Sequence, residues 1–174
     1  HESPRTARIA IGHAVRQLYL DAGCVDLAVE TGDEELLDAV VARWESAHHR
    51  RMYVTGGMGS RFQDESFGDD HELSSERSYA ETCAAIADFQ LSWRLLLQTG
   101  QARYAAAMER TLYNLLPAAV SADGTQFTYA NPHQVRSVSR IQEHTAGRLP
   151  WCSCACCPPN MARLRASLAA YAAF

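Results

Sequence analysis

The segment WCSCACCPPN, residues 151–160, contains four of the six cysteines of the chain within six positions. A deprotonated thiol is both a soft zinc ligand and a nucleophile. Cys156 and Cys157 directly precede two prolines and a predicted helix, whose amides and positive dipole end would stabilise a thiolate. The spacing therefore favours a metal site or covalent chemistry, although Cys152 and Cys154 could instead be packing residues or a redox pair.

A zinc site usually has four ligands, and the segment ETC at residues 81–83 offers Glu81 and Cys83 as the other two. Residues two apart on a regular helix point about 200° apart, so this pair can share an ion only where the helix start is irregular. Both residues also have a simpler interpretation. Glu81 could close a capping box with Ser78, and Cys83 alone is typical of a small buried residue.

Further candidates lie outside the cysteine cluster, and each has a purely structural alternative. The acidic segment QDESFGDDHE falls in a glycine-rich loop over 51–77, where such a run is usually solvated surface. Its spacing does not distinguish Glu65 from Asp64. His13 lies beside an apolar helical stripe, as a core histidine would, and Tyr129 is typical of a strand aromatic.

The elements that must position these residues are predicted to be helices. The stripe of Ile11, Val15 and Leu18 predicts a helix over 5–21 that ends near Gly23. Thr31 and Glu34 predict a capping box at the start of a second helix. That helix is expected to bury four apolar side chains, namely Leu37, Val40, Val41 and Trp44.

The remaining pattern predicts three more helices and little β structure. One helix runs from Ser78 to a C-cap at Gly100, the next reaches Pro117, and the last follows Pro159. A short strand is expected at 52–55, and a hairpin at the turn residues DG, 123–124. Antiparallel helix pairs with long loops predict a mainly α fold, either a helical toroid or a solenoid.

Composition limits the classes of function. The chain has 174 residues, is 47% hydrophobic and 21% charged, and has a net charge of -4, which is typical of one globular domain. We expect neither nucleic acid, because no basic surface is indicated, nor a membrane, because no apolar run has the length of a span. Residues 1–174 are interpreted as a single piece of a longer domain, truncated at both ends.

Seven segments together resemble the β-L-arabinofuranosidases of glycoside hydrolase family 127, in the order of that family and over nearly the whole chain. They are GHAVR (12–16), YVTGGMGS (53–60), DESFG (64–68), YAETCA (79–84), MERTLYN (108–114), FTYANP (127–132) and CACCPPN (154–160). The resemblance implies an (α/α)6 barrel, of which this chain would be the later part. It implies a retaining hydrolase that releases L-arabinofuranose from β-L-arabinofuranosides.

The resemblance also implies a role for each matched residue. Cys156 matches the nucleophile and Glu65 the general acid/base, in a segment where many relatives have a glycine in place of Asp64. The implied cofactor is zinc, and its ligands are Glu81, Cys83, Cys156 and Cys157. His13 and Tyr129 match residues that line the sugar pocket.

Other interpretations remain open at this point. The same four ligands could form a non-catalytic structural zinc module, the chain could be an inactive fragment of such an enzyme, or its clustered thiols could serve redox chemistry. Free thiols favour a reducing compartment, so a cytoplasmic location is expected. A truncated toroid would expose an apolar edge, which makes a homo-oligomer a further expectation.

Overall fold

The computed structural model describes residues 2–134, 147–152 and 154–172, and these residues form six α-helices joined by long connections. Two 3₁₀ turns lie at Gln63–Glu65 and Leu168–Tyr171, and the β structure of the described residues is limited to isolated bridges. The prediction of a mainly α chain is confirmed. The helices are α1 Ala14–Thr31, α2 Glu34–Arg50, α3 Thr82–Thr99, α4 Ala102–Tyr113, α5 Leu115–Ala118 and α6 Cys157–Ser167.

Helix α3 is the central element, because it packs against α1, α4, α5 and α6. Its apolar side chains point in several directions, as a helix surrounded by protein requires. Leu91 packs in one core cluster with residues of α1 and α2, while Phe89 packs in a second cluster with Met161 of α6. Burial of each such side chain stabilises the fold by roughly 1.5–3 kcal/mol, so both ends of the chain are held on α3.

The predicted first helix has the wrong boundaries. The structure begins α1 at Ala14 and continues it through Gly23 to Thr31, where Gly32 ends it in the left-handed conformation with φ 69°. Glycine inside a helix costs about 1 kcal/mol, and burial of its neighbours in the core offsets that cost. Ile11 precedes the helix and is 60% exposed, so it does not belong to the buried stripe.

Both predicted capping boxes are wrong as well. The N-cap of α2 is Asp33, whose side chain accepts a hydrogen bond from the backbone amide of Leu36, whereas the Thr31 hydroxyl donates to a carbonyl of α1. At the start of α3, the Ser78 hydroxyl donates to a carbonyl from a distant loop. Glu81 is the N-cap residue there, but its side chain makes no capping hydrogen bond.

Other predicted features are confirmed in outline. Gly100 ends α3 with φ 66°, and Val40 and Trp44 of α2 are buried, while Leu37 and Val41 are partly buried against the core. The expected hairpin turn has the backbone amide of Gly124 donating to a carbonyl three residues earlier, and it is closed by a single bridge.

Two predicted elements differ from the structure. The expected strand at 52–55 is one isolated bridge between Met52 and Met58, because the glycines that follow turn the chain back at once. The fourth predicted helix is divided at Asn114, whose φ of -120° and ψ of -75° separate α4 from α5. Within the described residues, none of the helices combines the length and the apolar character needed to cross a bilayer.

Candidate metal centre and active site

The start of α3 brings Glu81 and Cys83 to the same side of the chain. Ala80 has a positive φ of 41°, and Glu81 follows in an extended conformation with φ -62° and ψ 137°. Because Glu81 lies before the first helical residue, the 200° separation of a regular helix does not apply to this pair. The irregular start that the shared-ion hypothesis required is therefore present.

The start of α6 places two more thiols against Cys83. Cys156 is the N-cap residue and Cys157 the first helical residue, and the prolines that follow begin the helix without needing amide partners. The amide of Asn160 donates to the carbonyl of Cys156 and closes the first turn. Since Met161 in the next position is anchored in the core shared with α3, the two helix starts are held side by side.

The four donor atoms of Glu81, Cys83, Cys156 and Cys157 lie within 4.8 Å of one another. Cys83 Sγ is 3.0 Å from Cys156 Sγ and 3.4 Å from Cys157 Sγ, and the latter two are 3.8 Å apart. Glu81 Oε1 is 3.4 Å from Cys156 Sγ and 3.7 Å from Cys157 Sγ.

These separations can be compared with those of a four-coordinate ion. Sulfur at ~2.3 Å and oxygen at ~2.0–2.2 Å from a shared zinc leave neighbouring donors about 3.5–3.8 Å apart. Both sulfur–oxygen distances and the Cys156–Cys157 distance lie near that range, while the two sulfur–sulfur distances of Cys83 are shorter. The donor set fits a thiophilic divalent ion in number, type and spacing.

The electrostatics of this group also favour a cation. Glu81 is 1% exposed, and burial, followed by the nearby Cys156 and Glu65, raises its pKa to about 8. Hydrogen bonding with Cys156 and Cys157 lowers the pKa of Cys83 to about 5, and the bond with Cys156 raises the pKa of Cys157. The cluster thus stabilises one thiolate and opposes a second negative charge unless a cation is added.

A second group of side chains forms around Glu65. His13 Nε2 lies 2.9 Å from Glu65 Oε2, and the Tyr129 hydroxyl donates to Glu65 Oε1 over 3.1 Å. Glu65 ends the 3₁₀ turn with φ 49° and is half-exposed, whereas Asp64 is exposed. The structure thus distinguishes the two acids, which the sequence spacing did not.

Neither His13 nor Tyr129 has the structural role that the simpler interpretation gave it. His13 is the N-cap residue of α1, is partly exposed and pairs with Glu65, so it is not an enclosed core histidine. Tyr129 lies outside any strand. Partial burial and the nearby Cys156 raise the pKa of the Cys154 thiol, while the Tyr129 hydroxyl opposes the rise.

Sequence reasoning missed two residues that contact the cluster. The Tyr79 hydroxyl donates to Glu81 Oε2 over 3.1 Å, and Asn160 lines one pocket together with Cys83 and Cys156. The only available signal was their position inside the segments YAETCA and CCPPN. Cys24, in contrast, is buried in α1 as a small apolar residue, and all six cysteines are free thiols.

The site thus combines four clustered thiol and carboxylate donors with a separate hydrogen-bonded carboxylate. Residues 1–170 match the family model of the β-L-arabinofuranosidase GH127 catalytic domain, so the chain belongs to the GH127 family. The resemblance drawn from the sequence segments is thereby confirmed.

Curated and solved relatives agree with this family. The chain is 37% identical to a non-reducing end β-L-arabinofuranosidase of Bifidobacterium longum subsp. longum, over 98% of the chain and 26% of that protein. It is 39% identical to a solved GH127 β-arabinofuranosidase, with a TM-score of 0.91 over 98% of this chain and 26% of the other. A GH127 β-L-arabinofuranosidase from Geobacillus stearothermophilus T6 gives 42% identity and a TM-score of 0.91, over 97% and 27%. The chain therefore spans about a quarter of the length of these relatives.

Proposed function

We propose that this chain carries the catalytic centre of a retaining glycoside hydrolase that releases L-arabinofuranose from β-L-arabinofuranosides. Residues 1–174 would be a single piece of an (α/α)6 barrel, which accounts for the mainly helical fold and for the share of each relative that is covered. The observation that carries the proposal is the approach of four thiol and carboxylate donors within 4.8 Å, next to a separate hydrogen-bonded carboxylate.

Zinc is the ion that we assign to the cluster, with Glu81, Cys83, Cys156 and Cys157 as its ligands. Three sulfurs and one carboxylate oxygen suit zinc better than magnesium or calcium, which prefer oxygen. When bound, zinc would keep the thiols deprotonated at neutral pH and hold them in place. The free state of all six thiols supports a reducing location such as the cytoplasm.

In the first half-reaction, the Cys156 thiolate attacks the anomeric carbon of the arabinofuranoside. The carboxyl group of Glu65 donates its proton to the glycosidic oxygen, so the carbon–oxygen bond breaks and the alcohol leaves. The product on the enzyme is a thioglycoside of Cys156. Cys156 suits this role because it is the only member of the donor set that is not fully buried.

In the second half-reaction, the Glu65 carboxylate removes a proton from water, and the resulting hydroxide displaces the sulfur from the anomeric carbon. Two displacements at one carbon retain its configuration. His13 and Tyr129 hold the two oxygens of Glu65 at 2.9 Å and 3.1 Å, so they orient it, and we assign both to the sugar pocket.

The proposal is tested with Cys156→Ala and Glu65→Gln in the protein. Loss of the nucleophile is expected to abolish turnover of an alkyl β-L-arabinofuranoside, and loss of the acid/base to reduce kcat by about 10²–10⁴-fold. Cys24→Ala, a buried thiol in α1, and Asp64→Asn, beside Glu65, are the matched controls and should retain activity. Near-normal turnover in Cys156→Ala or Glu65→Gln would refute the assignment.

A structural zinc module is separated from a catalytic one by alkylation of the zinc-loaded protein. Because Cys156 is half-buried while Cys83 and Cys157 are fully buried, we expect iodoacetamide to modify Cys156 selectively among the three ligands. Complete protection of all three would favour the structural module.

A further inference from the structure

The two oxygens of Glu81 have different neighbours. Oε1 faces the thiols of Cys156 and Cys157, at 3.4 Å and 3.7 Å. Oε2 points away from them and accepts the hydrogen bond of the Tyr79 hydroxyl over 3.1 Å. Tyr79 therefore determines which oxygen of the carboxylate is free to face the thiols.

The backbone between these residues brings them together. Tyr79 and Glu81 flank Ala80, whose positive φ of 41° is uncommon and unfavourable for a residue with a Cβ. The Ala80 amide donates to the carbonyl of Gly59 over 2.7 Å, which holds the bend. Strain of this kind persists where the surrounding structure requires it, and here the bend brings the side chains of Tyr79 and Glu81 into contact.

The ring of Tyr79 also contacts the group around Glu65. Tyr79 is 3% exposed, and its ring packs edge-on against Phe62 with centroids 5.2 Å apart. Phe62 directly precedes the 3₁₀ turn that carries Glu65. Tyr129, which donates to Glu65, lies on another side of the Tyr79 ring at 6.1 Å. One side chain thus contacts both groups of the site.

We propose that Tyr79 is a positioning residue that fixes Glu81 toward the thiols through its hydroxyl and sets the Glu65 turn through its ring. This inference rests on the proposed function, because it assigns Tyr79 a part in the same site. A ligating carboxylate whose second oxygen is hydrogen-bonded cannot rotate freely, and removal of such a partner typically weakens metal binding about 10–100-fold.

The test is the zinc affinity of Tyr79→Phe, measured against a competing chromophoric chelator. We expect an affinity about 10–100-fold below that of the wild type and an altered thiolate-to-metal absorption band after cobalt substitution. The matched control is Tyr53→Phe, since Tyr53 is also buried and its hydroxyl donates to a carbonyl in a loop, but it contacts no member of the cluster. The control should leave both affinity and spectrum unchanged.

A second variant separates the two roles of Tyr79. Phe62→Leu removes the ring contact and leaves the hydroxyl of Tyr79 in place, so it should lower kcat while the zinc affinity stays at the wild-type value. It also keeps the inference testable if Tyr79→Phe is poorly folded.

The outcomes are distinguishable from failure of the proposed function. If the wild type binds zinc and Tyr79→Phe binds it equally well with the same cobalt spectrum, Tyr79 has no positioning role and the proposed function stands. If Phe62→Leu weakens zinc binding as much as Tyr79→Phe, the two roles are not separate and the inference is wrong. If the wild type binds no zinc, both are overturned.

Discussion

Two buried carboxylates in this molecule have opposite surroundings. Asp21 of α1 is 2% exposed and accepts hydrogen bonds from the Arg43 guanidinium at 2.8 Å and from Gln17 at 3.0 Å. Glu81 at the start of α3 is 1% exposed and faces thiols and a tyrosine hydroxyl. Burial raises the pKa of both, but Arg43 opposes the rise at Asp21, whereas Cys156 and Glu65 add to it at Glu81 and only the Tyr79 hydroxyl opposes it there.

The two carboxylates differ in whether a side chain of the protein balances the buried negative charge. At Asp21, a buried negative charge is compensated by a buried cation, and the same guanidinium also donates to two backbone carbonyls near the N-terminal turn. At Glu81, four acidic side chains lie within 4.8 Å of one another, and none of the four is a cation. Perturbed acids of this kind are typical of functional sites, and a divalent ion would supply the missing charge.

The largest expected effect on stability concerns the buried ion pair of Asp21 and Arg43. Asp21→Asn leaves the Arg43 charge buried without its partner, so the free energy of unfolding should fall by about 3–5 kcal/mol. Chemical denaturation measures the change, and zinc content at low denaturant should be unaltered. A loss below ~1 kcal/mol would show that Arg43 does not depend on Asp21 in the folded state.

The next effect concerns the metal-free protein and its response to pH. Glu81 has a pKa of about 8 in the folded state against an ordinary value of 4.5. Between pH 4.5 and pH 8, Glu81 is therefore protonated in the folded state and ionised in the unfolded state. The stability of the metal-free protein should therefore fall as pH rises from about 4.5 to about 8, by up to ~1.4 kcal/mol for each pH unit.

Glu81→Gln should remove that contribution and make the metal-free protein more stable at pH 8, while abolishing zinc binding. The exposed Glu109→Gln is the control and should follow the wild type. Denaturation series at several pH values test this. If the wild type and Glu81→Gln have parallel pH profiles, Glu81 does not carry the proton.

The smallest effect compares two helix N-termini. Asp33 caps α2 through the amide of Leu36, while Glu81 occupies the same position on α3 without capping it. Asp33→Ala should lower the free energy of unfolding by about 1 kcal/mol, as the loss of an N-cap does. Denaturation at pH 7 measures it. No change would mean that the exposed pair with Arg5 and the capping bond contribute nothing to α2.

The contrast between these N-termini also shows what the sequence could predict. The clustered cysteines and the segment ETC indicated a shared ion, and glycine at position 100 indicated a helix end, because each signal is local in the chain. The bend at Ala80 depends on a hydrogen bond to Gly59, and the choice of Glu65 over Asp64 depends on contacts from His13 and Tyr129. Such contacts join distant segments, and the spacing of residues does not encode them.

The helix boundaries failed for a related reason. Gly23 resembles a helix end in isolation, but its neighbours are held in the core, which continues α1 to Gly32. Likewise, Thr31 and Ser78 have the residue types of capping boxes, while tertiary contacts direct their hydroxyls elsewhere. Local propensity therefore identified the helices and misplaced several of their ends, although not the one at Gly100.

The central claim is that the four donors around Glu81 hold one zinc ion. Elemental analysis of the purified protein, with accessible thiols counted before and after chelation, tests it most directly. The account predicts about one zinc per chain and roughly three thiols released by chelation, as a site with three sulfur ligands requires. Absence of zinc after purification in its presence, with the thiol count unaffected by the chelator, would contradict it.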